Sequence, residues 1–181
     1  MMKIKVGVMG SADDTLPNGV AASLRETAEA LGQSIAARNL VLLTGATTGL
    51  PYIVGRAAHN AGALHVGVSP ASNAREHGAT YKLPTDACHV LIYTGFGLKG
   101  RNVVLVRSCD IVIFIGGATG SLNELTIAYD EQRVIGCLTG TGGVADHAAS
   151  ILQTFPKKAE ARLFCETDPE KLLASCVGAL R

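Results

Sequence analysis

The chain has 181 residues, of which 48% are apolar, and this length and composition are typical of a globular protein with one sizeable core. Its 16 basic and 15 acidic side chains leave a net charge of +1, which gives no electrostatic reason to expect a nucleic acid or an anionic membrane as partner. No run approaches the ~18 apolar residues of a membrane span, and the N-terminal sequence does not have the pattern of a signal peptide.

The cysteines and histidines show no pattern that indicates a metal or a bound cofactor. The five cysteines are scattered without a C-x-x-C pair, and the five histidines share no metal-ligand spacing. An odd number of scattered cysteines favours free thiols in a reducing compartment. We therefore expect a cytoplasmic protein that holds no metal and no cofactor.

Apolar runs and helical spacing alternate along the whole chain. Seven short apolar runs predict strands, in chain order residues 3–9, 40–43, 64–68, 90–93, 111–115, 134–138 and 162–165. Apolar residues three and four positions apart predict helices at about residues 17–38, 50–60, 101–108, 122–129, 144–154 and 169–180. Asp168, followed by Pro169, is a good N-terminal cap for the last helix. Residues 69–86 have no clear period, and irregular stretches of this length are usually functional or mobile.

The alternation of strands and helices predicts the fold. Strand-then-helix units favour right-handed crossovers and a parallel sheet covered by helices on both faces. No repeat or linker interrupts the pattern, so we expect residues 1–181 to form a single doubly wound, Rossmann-like α/β domain with about seven strands. Ligands bind outside the carboxyl ends of the strands in such sheets. Three loops rich in glycine and small polar residues, 10–14, 44–49 and 116–121, are predicted to lie at that edge.

The third of these loops carries the strongest functional signal. Residues 111–115 (IVIFI) are typical of a central strand buried on both faces, and residues 116–121 (GGATGS) lead directly from it into a helix. Free backbone N–H groups and the helix dipole make such a turn an anion site. The turn lacks the Gly-Lys-Ser/Thr ending of a P-loop and does not follow the first strand, as a dinucleotide fingerprint does. We interpret it as a phosphate-binding turn, with a turn kept only for tight packing as the alternative.

Charged residues flank this turn on both sides. Glu124 lies one turn into the following helix, and Arg101 belongs to the preceding helix and is expected near the same rim. Their alternative roles are a first-turn acid that complements the helix dipole and a surface cation. Asp110, just before the central strand, is interpreted as structural. Lys99 either adds charge to the rim or is solvated, and His77, in the irregular loop, is the one histidine with functional interest.

These residues resemble the LONELY GUY-like family of the SLOG superfamily, in particular its less characterised bacterial branch. The family signature joins an Arg-Lys pair to a Pro-Gly-Gly-x-Gly-Thr-x-Glu-Glu loop; Arg101 takes the place of its arginine and Glu124 that of its last glutamate. Residues 44–50 resemble the family's earlier glycine-rich loop, and residues 10–11 resemble its first. Ser121 takes the place of the signature Thr. The departures that matter are Asn102 for Lys, Gly116 for Pro, Ala118 for Gly and Asn123 for the first Glu.

The resemblance implies a nucleoside 5′-monophosphate phosphoribohydrolase, which releases the free base and ribose 5-phosphate, with Arg101 and Glu124 as its catalytic residues. A non-catalytic binder or carrier of a nucleotide or phosphorylated cofactor is the alternative, because molybdenum-cofactor carrier proteins share the fold. A lysine decarboxylase is not expected, since no lysine lies in a setting typical of a Schiff base. The predicted ligand-binding residues are Gly10, Ser11, Thr44, Gly45, Thr47, Thr48, Gly49, Gly116, Gly117, Thr119, Gly120 and Ser121.

The oligomeric state is a separate expectation. The segment 101–108 is apolar almost all round, which is unusual for a helix that faces solvent. Either the sheet and a neighbouring helix cover it, or a second subunit does. The resemblance implies a homodimer with its sites close to the interface. The expected partners are therefore a phosphorylated small molecule and a second copy of the chain, with no nucleic acid and no membrane.

Overall fold

The computed structural model describes residues 2–12, 20–156 and 161–180. Within them, seven strands form one sheet in the order β4-β3-β2-β1-β5-β6-β7, and every neighbouring pair is parallel. The strands are β1 (Lys5–Gly10), β2 (Val41–Thr44), β3 (His65–Ser69), β4 (Val90–Tyr93), β5 (Ile111–Ile115), β6 (Val134–Leu138) and β7 (Arg162–Glu166). The predicted doubly wound, Rossmann-like sheet is confirmed. That residues 1–181 form a single domain stays a prediction.

An α-helix follows each strand except β3, which is joined to β4 by the irregular stretch. The described α-helices are α1 (Ala22–Ala37), α2 (Leu50–Asn60), α3 (Gly97–Arg107), α4 (Thr119–Asp130), α5 (Gly143–Thr154) and α6 (Pro169–Gly178). The predicted start of the first helix, Pro17, and residues 13–14 of the first loop lie outside the described residues. The predicted cap of α6 is confirmed, because the Asp168 carboxylate accepts the N–H of Lys171 at 2.9 Å. No described helix is long and apolar enough to cross a membrane.

Two helices begin earlier than the sequence pattern indicated. α3 begins at Gly97 rather than at residue 101, and α4 begins at Thr119 rather than at residue 122. The first turns of both helices contain glycine or small polar residues, which carry no apolar periodicity. Their positions are set by the turns before them, where Gly95 and Gly117 have φ values of 68° and 110° that favour glycine. The residues near the ligand edge are therefore helical although they do not look helical in sequence.

The sheet divides the core into two apolar layers. One layer packs α1, α2 and α6 against the sheet, and the other packs α3, α4 and α5 against its opposite face. All five residues of β5 are fully buried, with Ile113 in the first layer and Phe114 in the second. Each such side chain contributes about 1.5–3 kcal/mol of burial free energy. The predicted central strand, buried on both faces, is confirmed.

The strand order reverses between β1 and β5. The chain moves outward from β1 through β2 and β3 to β4, then α3 crosses back to β5 and the chain moves outward on the other side. The loops that follow β1 and β5 thus leave the sheet in opposite directions, which opens a crevice at its carboxyl edge. This crevice is where a doubly wound sheet presents a ligand site.

Two residues singled out in the sequence hold the framework. Asp110 accepts hydrogen bonds from the backbone N–H and the Nζ of Lys5, both at 2.8 Å, so its structural interpretation is confirmed. His77 is fully buried in a single π-helical turn, Glu76–Thr80, within the irregular stretch. Its Nδ1 accepts from the Ser69 hydroxyl at 2.8 Å, and its Nε2 donates to the Pro84 carbonyl at 3.2 Å. His77 therefore anchors this loop to the sheet.

Candidate functional site

A cavity of about 200 Å³ lies at the reversal point between β1 and β5. Its floor comes from the end of β1, and its walls come from α3, from the first turn of α4 and from the loop after β2. Pockets that enclose whole drug-sized ligands usually measure roughly 300–1,000 Å³. The cavity therefore has room for part of a nucleotide-sized molecule, such as its phosphate and sugar.

The structure brings some of the predicted site residues to this cavity and leaves others behind its wall. Those that line it are Gly10, Gly45, Thr47, Arg101, Thr119, Gly120, Ser121 and Glu124. Those that do not are Ser11, Thr44, Thr48, Gly49, Gly116 and Gly117. Most of the latter have polar groups that are engaged within the protein.

Ser11 and the two leading glycines brace the turn after β5. The N–H of Gly117 donates to the Ser11 hydroxyl, and the N–H of Gly116 donates to the Thr141 hydroxyl, both at 2.8 Å. Gly117 has no room for a side chain, because a Cβ there would lie 2.8 Å from the Ser121 Oγ. For this part of the turn, the tight-packing interpretation agrees with the contacts.

Thr44 has a comparable role on the neighbouring strand. Its hydroxyl donates to the Nε2 of His65 at 2.9 Å and accepts the N–H of Ala46 at 3.2 Å, and the side chains of Thr44 and His65 are both buried. The His65 Nδ1 in turn donates to the Ala87 carbonyl. Burial lowers the pKa of His65 to about 4, so this histidine is neutral at physiological pH.

The first turn of α4 faces the cavity with its N–H groups. Thr119, Gly120 and Ser121 are the first three residues of the helix, and the cap residue Ala118 supplies no side-chain hydrogen bond. The N–H groups of a first helical turn have no intrahelical partner and carry the positive end of the dipole. Among the described residues, the Ser121 hydroxyl donates one long hydrogen bond, 3.4 Å, to the Gly10 carbonyl. This turn therefore offers several donors to an anion the size of phosphate.

Arg101 and Glu124 meet at the bottom of the cavity. They are 5% and 6% exposed, and Arg101 Nη1 lies 3.3 Å from Glu124 Oε1. Arg101 is thus not a surface cation. Its Nε is buried and has no hydrogen-bond partner among the described residues. A buried donor without a partner costs about 1–3 kcal/mol, which other contacts of the folded chain must offset.

Burial dominates the electrostatics of this pair. It raises the pKa of Glu124 to about 7, although Arg101 and Lys99 act in the opposite direction. It also lowers the pKa of Arg101, which Glu124 partly opposes. Glu124 is consequently close to its titration midpoint at neutral pH, whereas an exposed glutamate would be fully ionised. A negatively charged ligand in the same cavity would favour the protonated form.

Two polar residues of the cavity were not among the predicted site residues. Lys99 lines the wall, with its Nζ 3.6 Å from where a Cβ on Gly120 would lie. Asn102 also lines it, and its Nδ2 donates to Asn123 Oδ1 at 2.9 Å, joining α3 to α4. A helix predicted to begin at Gly97 would have indicated both residues, because it places Asn102 one turn after Leu98 and Lys99, on the same side of the helix. No group of three or more potential metal ligands occurs in the described part of the chain.

The fold is that of a Rossmann-like protein with a cavity at the reversal point of its sheet. The model of the SLOG cluster4 family matches residues 3–173, and the chain belongs to this family. The resemblance seen in the sequence is confirmed at the level of the SLOG superfamily.

Solved structures similar to this chain cover nearly all of it. The molybdenum cofactor binding protein of the phototrophic bacterium Rippkaea orientalis is 26% identical, with a TM-score of 0.78 over 100% of this chain and 99% of that one. TM1055 is 23% identical, with a TM-score of 0.80 over 97% and 99% of the two chains. The molybdenum cofactor carrier protein of Chlamydomonas reinhardtii is 24% identical, with a TM-score of 0.76 over 99% of both. At these identities, the last two likenesses show the fold alone.

Two further similarities are partial. DNA processing protein A of Streptococcus pneumoniae is 21% identical, with a TM-score of 0.67 over 96% of this chain but only 62% of its own length. An uncharacterized protein of Archaeoglobus fulgidus is 30% identical over 108 residues, which are 60% of this chain and 66% of that relative, just under two thirds. The first of these shows a common fold, and the second covers part of the chain.

Proposed function

We propose that the protein binds a phosphorylated small molecule, a nucleotide or a phosphorylated cofactor, in the cavity between β1 and β5. The observation that carries this proposal is that the open first turn of α4 and the buried Arg101–Glu124 pair face the same cavity. The phosphate is held by the N–H groups of residues 119–121 and the Ser121 hydroxyl, with Lys99 adding a positive charge. Arg101 donates to an oxygen of the sugar or ring that follows.

Binding without chemistry, as in a carrier, is the function that we favour. Hydrolysis of a glycosidic bond usually uses a pair of carboxyl groups. Glu124 is the only carboxylate among the described residues that line the cavity. Asn123, at the position of the family's first signature glutamate, is hydrogen-bonded to Asn102. The likeness to the molybdenum cofactor binding protein extends over the whole chain and supports this choice.

Hydrolysis of a nucleoside 5′-monophosphate is the second candidate. The observation that favours it is the pKa of Glu124, which burial raises to about 7, within the range that suits a proton-transfer group at neutral pH. In this mechanism Glu124 stabilises the oxocarbenium-like sugar or orients the attacking water. Arg101 then assists the departure of the base.

A ligand panel tests both functions. The protein is titrated by calorimetry with AMP, GMP, CMP, IMP and UMP and with a phosphorylated pterin, with adenosine and unphosphorylated pterin as controls. The same mixtures are assayed for free base and ribose 5-phosphate. A carrier gives saturable binding of a phosphorylated compound without release of a base. Release of the base identifies a hydrolase, and binding of the unphosphorylated controls with equal affinity contradicts the phosphate site.

We also propose that the protein is a homodimer, as the family resemblance implies. Leu105 and Val106 of α3 are buried by the chain's own core, whereas Val103 is 43% exposed. Val90 and Ile92, on the edge strand β4, are also exposed. A second copy covering these side chains would remove apolar surface from water. A sedimentation profile of a single ~19 kDa particle at micromolar concentration, the mass of one chain, contradicts the dimer.

The remaining expectations stay proposals for this chain. The nearly even charge is the argument against a nucleic acid partner, and it is tested by fluorescence titration of a labelled single-stranded oligonucleotide at low salt. Five free cysteines support a reducing, cytoplasmic location. Detection of the native protein in a membrane or secreted fraction would contradict that location.

A further inference from the structure

Gly45, directly after β2, lies against the guanidinium group of Arg101. A Cβ on Gly45 would lie 2.6 Å from both Cζ and Nη2 of Arg101, which is closer than any real carbon contact. The end of the guanidinium that carries Nη1 and Nη2 therefore packs against the backbone of residue 45. Both groups line the cavity.

Space, and not backbone conformation, is what requires a glycine here. Gly45 does not have a positive φ, so an alanine could adopt its backbone conformation. Gly49, in the same loop, differs from Gly45 in its backbone conformation and in the atoms that a Cβ would meet. It has a φ of 76°, and its Cβ would meet the backbone of Ser11 and Ala12, so a side chain there would disturb the loop itself. A side chain at Gly45 would instead displace only the tip of an arginine.

We infer that Gly45 is a positioning residue, which seats the Arg101 guanidinium against its backbone so that Nη1 meets Glu124 and the group lines the cavity within reach of a ligand oxygen. This inference rests on the proposed function and deepens it. The contact of Nη1 with Glu124 at 3.3 Å holds one nitrogen of the group, and the backbone of Gly45 limits where the rest of it can lie. Arginine is a planar fork of donors, so its plane decides which acceptor it can reach.

The Arg101 side chain is buried and incompletely hydrogen-bonded. Arg101 is 5% exposed, and its Nε has no partner among the described residues, although Nη1 has one. Buried donors are nearly always paired in native proteins. Since Nε is itself closed to solvent, a ligand oxygen would meet the guanidinium at the end that packs against Gly45 and not at Nε.

Gly45→Ala tests the seat, with Gly178→Ala as the matched control, because a Cβ on Gly178 meets nothing within 4 Å. The added methyl group pushes the guanidinium aside and leaves the sheet intact, so the circular dichroism spectrum of Gly45→Ala should match that of the wild type. AMP binding by calorimetry should weaken about tenfold or more, the scale of a lost charged hydrogen bond. Gly178→Ala should bind AMP as the wild type does. Unchanged binding in Gly45→Ala overturns the inference.

The double variant Gly45→Ala/Arg101→Lys distinguishes displacement of the Arg101 guanidinium from a general disruption of the structure. A lysine has no planar fork to collide with the new methyl group. Arg101→Lys should therefore weaken AMP binding in the wild-type background. In the background of Gly45→Ala, the same substitution should leave the affinity for AMP nearly unchanged or increase it. Additive effects of the two substitutions refute the seat. If Gly45→Ala alone does not fold, a thermal unfolding transition in the double variant reports the same contact. A double variant that also fails to fold contradicts it.

A ligand-free measurement distinguishes failure of the seat from failure of the proposed function. Arg101 lowers the pKa of Glu124, so moving the guanidinium away should raise that pKa further in Gly45→Ala and leave it unchanged in Gly178→Ala. Carboxyl ¹³C NMR follows this titration. If the pKa rises but the wild type binds none of the phosphorylated compounds, the seat stands and the proposed function fails. If the pKa does not move, the seat is wrong whatever the binding results.

Discussion

Replacing Glu124 with glutamine removes a negative charge from the cavity while keeping the shape of the side chain. If the first turn of α4 holds a phosphate, that charge opposes the ligand whenever Glu124 is ionised. Burial raises the pKa of Glu124 to about 7, so the carboxylate is mostly ionised at pH 8 and mostly protonated at pH 6. Glu124→Gln should therefore tighten the binding of AMP at pH 8 and change it little at pH 6.

The magnitude follows from the helix geometry. Glu124 lies three residues beyond Ser121, about 4.5 Å further along the helix axis. A phosphate that accepts hydrogen bonds from this turn lies roughly 3 Å beyond it, which puts the two charges about 7 Å apart. Two unit charges at that distance interact by roughly 2 kcal/mol at an effective dielectric constant of about 20. The guanidinium of Arg101, beside the carboxylate, offsets part of this repulsion. A net effect of about 1 kcal/mol remains, which corresponds to about a fivefold lower Kd for AMP in the variant at pH 8.

Calorimetric titration with AMP measures this effect. Variant and wild type are compared at the same pH, so that ionisation of the phosphate itself cancels. A Kd ratio that is the same at pH 6 and pH 8, or a weaker variant at pH 8, would refute the argument that Glu124 titrates beside the phosphate. If the panel reveals turnover, Glu124→Gln should also lower it on the order of a hundredfold or more, as for a positioned catalytic group.

Three further predictions follow from other contacts. Ser121→Ala should weaken AMP binding by about 1 kcal/mol, one hydrogen bond to a phosphate, with an unchanged melting temperature; undiminished affinity would exclude the hydroxyl from the site. Asp168→Ala should destabilise the protein by about 1 kcal/mol in urea unfolding, because it removes the cap of α6, and a smaller loss in Asp168→Asn would identify capping as the cause. The folded-state pKa of His65 is lowered to about 4, so below pH 6.5 the unfolded chain binds a proton that the folded protein does not, and stability falls as the pH drops from 6.5 to 4. Glu124 acts oppositely, because its raised pKa makes the folded protein gain stability as the pH drops from 7 to 4.5. In Glu124→Gln, which lacks the opposing effect, the free energy of unfolding should therefore fall by up to about 3 kcal/mol between pH 6.5 and 4 because of His65. A free energy of unfolding that does not change over this pH range in the variant would contradict the prediction.

The sequence by itself determined the sheet and its central strand. An unbroken apolar run such as residues 111–115 is stable only when both faces of the strand are covered, which requires helices on both sides. The glycine and hydroxyl residues after the strands had to lie at the carboxyl edge, because every parallel strand ends there. The cap at Asp168 was equally predictable, since capping is a local contact between residues three positions apart.

Only the tertiary structure decided which loop residues reach the cavity. Thr47 lines it, whereas Thr44 turns to His65, and the sequence offers no period that distinguishes them within a loop. The contact of Arg101 with Glu124 depends on how α3 packs on α4, and the seat on Gly45 depends on β2 lying beside β1. The same packing removes water from Glu124 and so raises its pKa. Residue types along the chain fix the local structure and the chemistry available, but desolvation and contacts between distant residues exist only once the chain has folded.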